Sequence, residues 1–257
     1  MVFETGDLVV GWGRLVVDAD GVWLDFARSM PLCWPSRDDG RSAHSVRLVG
    51  ADVVKAPKEF GPDGAIPGCV TITGIWRDDV IEVRDQSPAG PRRRPDPDLT
   101  TPPCPPPAGG WPHGPEDENL SPNASPQWTR GLAVAVANFR PSRTQVVLVV
   151  ATSDTAAAEA VLRPALGDRL CIIRSRSRRQ QLDDVRAHLR RHTAEWTIQV
   201  TGESVNEAGQ PIIVIGPVRV TAAFADWTET LPHDLLQLDP DLLPVADSTT
   251  SKTDRDR

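Results

Sequence analysis

The sequence predicts an α+β protein of two domains. Residues 1–86 read as a small all-β barrel, and residues 129–244 as an α/β mixed sheet with two to three helices. Three observations carry this. Residues 70–83 alternate apolar and polar side chains on either side of a short polar turn, the period of paired half-buried strands. Residues 87–128 contain 13 prolines and few apolar side chains, so they cannot bury enough surface to fold alone. Residues 129–244 mix continuous apolar runs with stripes at helical spacing.

Residues 8–17 form the first expected strand, with Gly11 and Gly13 placed to allow a strong bend. Residues 18–21 are a turn, residues 22–26 the return strand, and residues 45–54 a third strand. Residues 55–67 hold prolines and glycines and read as a loop. The best local signal follows: Val70, Thr71, Ile72 and Thr73 alternate, Gly74 marks a bulge, Arg77, Asp78 and Asp79 turn the chain, and residues 80–83 return. Residues 102–107 give the linker polyproline character, and it reads as a disordered spacer.

In the second half, residues 132–139 and 145–152 read as buried strands. Ser153 or Asp154 caps a helix whose apolar face holds Ala157, Val161, Leu162 and Ala165, ended by Pro164 and Gly167. Residues 169–174 are a short strand. Ser177 caps a second helix with the stripe Leu182, Val185, Leu189 and Trp196. Residues 197–201 and 212–220 are strands, residues 222–230 a third helix, and residues 245–257 a disordered polar tail. No internal repeat is visible.

The hairpin over residues 70–83, after a glycine-bent first strand, resembles the last hairpin of an OB-fold. The resemblance covers about a third of the chain, at the level of fold. It implies a five-stranded barrel and, by analogy, single-stranded nucleic-acid binding. Charge opposes that analogy, because residues 1–86 carry 14 acids against 9 bases, which repels a phosphate backbone.

The whole chain has net charge −7 and is 39% apolar and 25% charged, a globular composition. Its longest apolar run, residues 146–151, is far shorter than a membrane span, and residues 1–7 lack a basic signal region. A soluble cytoplasmic protein is therefore expected. Cys33, Cys69, Cys104 and Cys171 form no C-x-x-C pair and read as reduced, mostly buried thiols.

Two groups of residues are candidate binding sites. Arg174, Ser175, Arg176, Ser177, Arg178 and Arg179 lie between a strand and a helix N-terminus, where free N–H groups suit an anion. Arg186 and Arg190 continue that face. Only Lys55, Lys58 and Lys252 of the 28 basic residues are lysines, so clustered arginine is partly compositional bias. Trp12, Trp23, Trp34 and Trp76 crowd the first domain and are candidate partner-binding rings, set against a plain core role.

His188 and His192 have the spacing of a zinc helix, but Leu189 stands where the catalytic glutamate would be, so no metal is expected. Asp183 and Asp184 are adjacent and diverge on a helix, so they make no carboxylate pair. No nucleophile elbow, Walker loop or dinucleotide fingerprint is present, and no cofactor is expected. The expected function is a non-enzymatic binding or adaptor protein with two tethered modules and a protein partner. The alternative is an α/β domain or enzyme that binds an anionic small molecule through the arginines. Nucleic-acid binding ranks third.

Overall fold

The computed structural model describes residues 2–26, 41–55, 69–89, 97–115, 120 and 131–245. It is a mixed α+β structure, mostly strands, with three helices and several sheets.

Strands β1 (Leu8–Asp18), β2 (Gly21–Asp25), β3 (Val46–Val49), β4 (Cys69–Arg77) and β5 (Val80–Pro88) come first. Their pairings run β1-β2-β3-β5-β4 and return from β4 to β1, with β3 parallel to β5. Burial on β4 alternates, and Val70, Ile72 and Trp76 join Val9, Leu24, Phe26 and Ile81 in one core. The alternation on β1 slips after Gly13, where the strand changes neighbours. A Cβ on Gly13 would lie 2.7 Å from the Asp25 carbonyl oxygen, which explains the glycine at this bend. The expected bulge is at Gly74, where the β4–β5 register shifts. Asp78 and Asp79 both have positive φ, the conformation of a two-residue hairpin turn.

The sheet has a sixth strand from the far end of the chain. β12 (Leu242–Pro244) pairs antiparallel with Val9, Val10 and Gly11 of β1, and Leu242 is buried in the same core. Val218 also joins that core. Arg219 pairs with Asp79 at 2.9 Å and lies over the Trp76 ring. The two halves are thus joined by strand pairing and packing, beyond the tether that composition suggests.

The remaining strands form two three-stranded sheets. In the first, β6 (Ala135–Ser142) pairs antiparallel with β7 (Gln145–Thr152), and β8 (Leu170–Arg174) lies parallel to β7. Helix α1 (Thr155–Leu166) makes the crossover and packs Ala158 and Leu162 on Leu148, Val150 and Leu170. Asp154 is its cap, accepting from the Ala157 N–H at 3.0 Å. Pro164 does not end it. The helix continues to Leu166, and Arg163 Nη1 donates to the carbonyls of Gly167 and Leu170, which holds the last turn.

The second small sheet repeats the order. β9 (Ile198–Val205) pairs antiparallel with β10 (Pro211–Pro217), helix α3 (Ala222–Glu229) follows, and β11 (Leu236–Leu238) lies parallel to β10. Helix α2 (Arg179–Arg191) links the two units. The chain therefore contains a ββαβ unit twice, a repeat of topology that its residues do not betray.

The opposite face of the first small sheet is closed by part of the proline-rich segment. Leu99, Cys104 and Trp111 pack on Phe139, Val147, Val149 and Cys171. The Arg140 N–H donates to the Leu99 carbonyl, the Gly114 N–H to that of Thr144, and Gln145 Nε2 to that of Trp111. Cys104 and Cys171 form a disulfide across 67 residues. Cys69 is disulfide-bonded as well. The reading of these cysteines as reduced thiols is thereby corrected. Residues 97–115 are a strap that replaces a covering helix, not a disordered spacer. Cys33, Trp34, residues 56–68 and residues 246–257 lie outside the described residues.

Candidate functional site: the outer face of β1, β2 and β3

The pleat sends Leu24 of β2 into the core and Trp23 outward. Trp23 lies opposite the buried Val16 of β1 and the exposed Arg47 of β3, on the side of the sheet away from Leu24. The indole N–H donates to Asp18 Oδ1 at 3.0 Å, which fixes the ring. This bond is the main reason the Asp18 carboxyl is held below its ordinary value. The Arg41 guanidinium covers a face of the ring, 3.9 Å from its centroid, and reaches Asp18 at 3.5 Å and Asp20 at 3.8 Å. In the next row Asp25 is buried, accepting from Arg14 at 3.2 Å and from the Ser42 hydroxyl. Trp23 is thus oriented by Asp18 and covered by Arg41, with the Arg14–Asp25 ion pair in the neighbouring row.

The other candidate tryptophans differ. Trp76 is 3% exposed, with Phe3 edge-on at 5.4 Å and Arg219 over its face, so it is core and is removed from the partner-binding set. Trp12 is half-buried and packs against Cys69 and Ala89. Trp34 lies outside the described residues.

The arginine cluster is placed as expected, after β8 and at the start of α2. Three of its six arginines, Arg176, Arg179 and Arg186, are paired with acids of the same chain. Glu203 of β9 accepts from Arg179 at 2.5 and 2.7 Å and from Arg186 at 2.6 Å, and Asp183 takes Arg179 at 2.9 Å. The bonds to Glu203 and then Asp183 raise the Arg179 pKa, and the same Arg179 bond chiefly lowers that of Glu203. Arg176 pairs with Asp234 at 2.9 Å. Gln210 ties the loop, accepting from the Arg176 N–H and donating to the Arg174 carbonyl. The Ser175 hydroxyl donates to the Ser177 carbonyl. The cap of α2 is Arg178, which makes no side-chain capping bond, in place of the expected Ser177. Arg178 and Arg179 line an open cleft of about 520 Å³ with Leu132, Val134 and Ser153. Arg190 is exposed on the last turn of α2.

His188 and His192 are brought together, but as stacked rings in an aromatic cluster with Trp196 and Trp227. No group of three His, Cys, Asp or Glu side chains among the described residues could hold a metal ion.

Sequence reasoning missed Arg41, Arg47, Glu203, Asp234 and Trp227. The four-residue spacing of His188, His192 and Trp196 was a signal for the aromatic cluster, although α2 ends at Arg191 and Trp196 lies in the turn beyond it. Glu203 has none, because it reaches Arg179 only across the fold. No protein-family model, no curated protein and no solved structure matches this chain.

Proposed function

We propose that this chain is a non-enzymatic binding protein that recognises a protein partner through Trp23, Arg41 and Arg47. The observation that carries this reading is the Trp23 ring, held by Asp18 and covered on one face by the Arg41 guanidinium, with the exposed Arg47 opposite it in register on β3. Rigid aromatic rings beside arginine give large contact area at low ordering cost. The closed pairing order, with β3 parallel to β5, supports an OB-type barrel as the platform. The anion-binding reading ranks second, since Glu203, Asp183 and Asp234 already occupy Arg179, Arg186 and Arg176.

No described helix is long and apolar enough to cross a membrane. The disulfide bonding of Cys69, Cys104 and Cys171 supports an oxidising compartment as the place of action, in place of the reducing cytoplasm that composition suggests.

The test is affinity capture by the full chain from a lysate of the native host, with and without nuclease. A protein partner that survives nuclease and is lost with Trp23→Ala or Arg47→Ala is expected. Retention by both variants, or loss of the partner on nuclease treatment, would overturn the reading.

A further inference from the structure

The last turn of α2 and the segment leaving it hold a cluster that plays no part in the surfaces above. Three rings form a ladder. Trp227 of α3 stacks on His188 at 4.8 Å between centroids, within 7° of parallel, and His188 stacks on His192 at 4.5 Å. The buried Trp196 lies against all three rings, at 5.0 Å from Trp227, 5.4 Å from His188 and 4.6 Å from His192. His188 is thus one rung between α2 and α3, beside the buried contact of Leu182, Val185 and Leu189 with Phe224.

We propose that this ladder is an acid-sensitive latch, in which protonation of His188 loosens the contact between α2 and α3. Facing His188 from the end of its own helix and the cap are two bases, Arg191 and His192. Beyond the helix end comes one acid, Glu195, whose carboxylate is already bonded to His192 Nδ1 at 2.7 Å. From α3 come rings only, Trp227 against His188 and Phe224 against Trp196. A proton on His188 therefore places a second cation between bases on a half-buried surface, with its acid already engaged. The face of Trp227 and the C-terminal end of the α2 dipole both favour that cation. Burial and then the two neighbouring bases outweigh them, holding His188 below its ordinary value.

The backbone beneath the ladder is poised to yield. Thr197, next to Trp196, has φ +47°, a left-handed conformation that a β-branched residue rarely adopts. Trp196 Nε1 and Thr197 Oγ1 are buried without a hydrogen-bond partner among the described residues. A loosened latch lets water reach both groups and lets Thr197 relax, so strain and unsatisfied polarity favour the open form once His188 is charged.

The direction with pH follows. The folded-state pKa of His188 lies below the unfolded value near 6.5, so the unfolded chain binds the proton more readily. Stability from the neutral rung is complete above that value and is lost as pH falls toward the folded one.

The test is a titration of the full chain from about pH 7.5 to about pH 5, read by histidine proton resonances and by tryptophan near-ultraviolet circular dichroism. His188→Phe assigns the resonance and keeps a ring without a charge. His188 is expected to titrate below 6.5, the dichroism to change with the same midpoint, and His188→Phe to abolish that change. Titration of His188 at or above 6.5, or a dichroism change that survives in His188→Phe, would overturn the proposal. Should His188→Phe fail to fold, the unaltered chain decides. Coincident midpoints for His188 and the dichroism support the latch, and separate midpoints refute it.

Discussion

Glu203 does more to define the character of α2 than any of the arginines around it. It accepts from Arg179 and Arg186, which neutralises two of the arginines on that face. Its pKa is lowered from 4.5, so the folded chain binds this proton less readily than the unfolded one. The stability it contributes is present above about pH 4.5 and is lost as pH falls through the folded value. Glu203→Gln is expected to lower the melting temperature at neutral pH and to reduce the further fall below pH 4.5, measured by thermal denaturation at several pH values. Single residues were legible where the chemistry is local. Gly74 as a bulge, Asp78 and Asp79 as a turn and Asp154 as a cap each act on backbone within a few residues. Glu203 and Asp234 were not, because they meet their arginines 24 and 58 residues away.

At the scale of elements, periodicity marked the four-residue and longer strands but not the shortest ones. β11 and β12 have three residues each, too few to show a period, and β12 exists because Leu242 fills the space left by Gly11. The proline-rich strap was hidden for another reason. Its composition cannot pay for order alone, but the apolar face of β6 and β7 and one disulfide supply what it lacks. Closing a loop of this length contributes about 4 kcal/mol in the chain-entropy model. Replacing both cysteines (Cys104→Ser with Cys171→Ala) is expected to lower unfolding stability by roughly that amount and to open residues 97–115 to proteases. Denaturant titration and limited proteolysis check this. Unchanged stability would mean that packing of Leu99 and Trp111 alone holds the strap.

The whole molecule differs most from the picture of two modules on a tether. The first sheet takes its sixth strand from residues 242–244, Val218 enters its core, and Arg219 reaches Asp79 and Trp76. The mixed class, the three helices and the hairpin at residues 70–83 were readable from residue patterns. The closing of the first sheet by the chain's other end was not, since no local pattern encodes contacts between residues 9–11 and 242–244. This interlock bears on function, because the sheet that presents Trp23 is completed and held by the C-terminal half. Differential scanning calorimetry of the full chain, beside a chain ending at residue 241, tests it most directly. One cooperative transition is expected for the full chain, with a markedly lower melting temperature for the shortened one. Two separate transitions, or a first transition unmoved by the loss of β12, would contradict it.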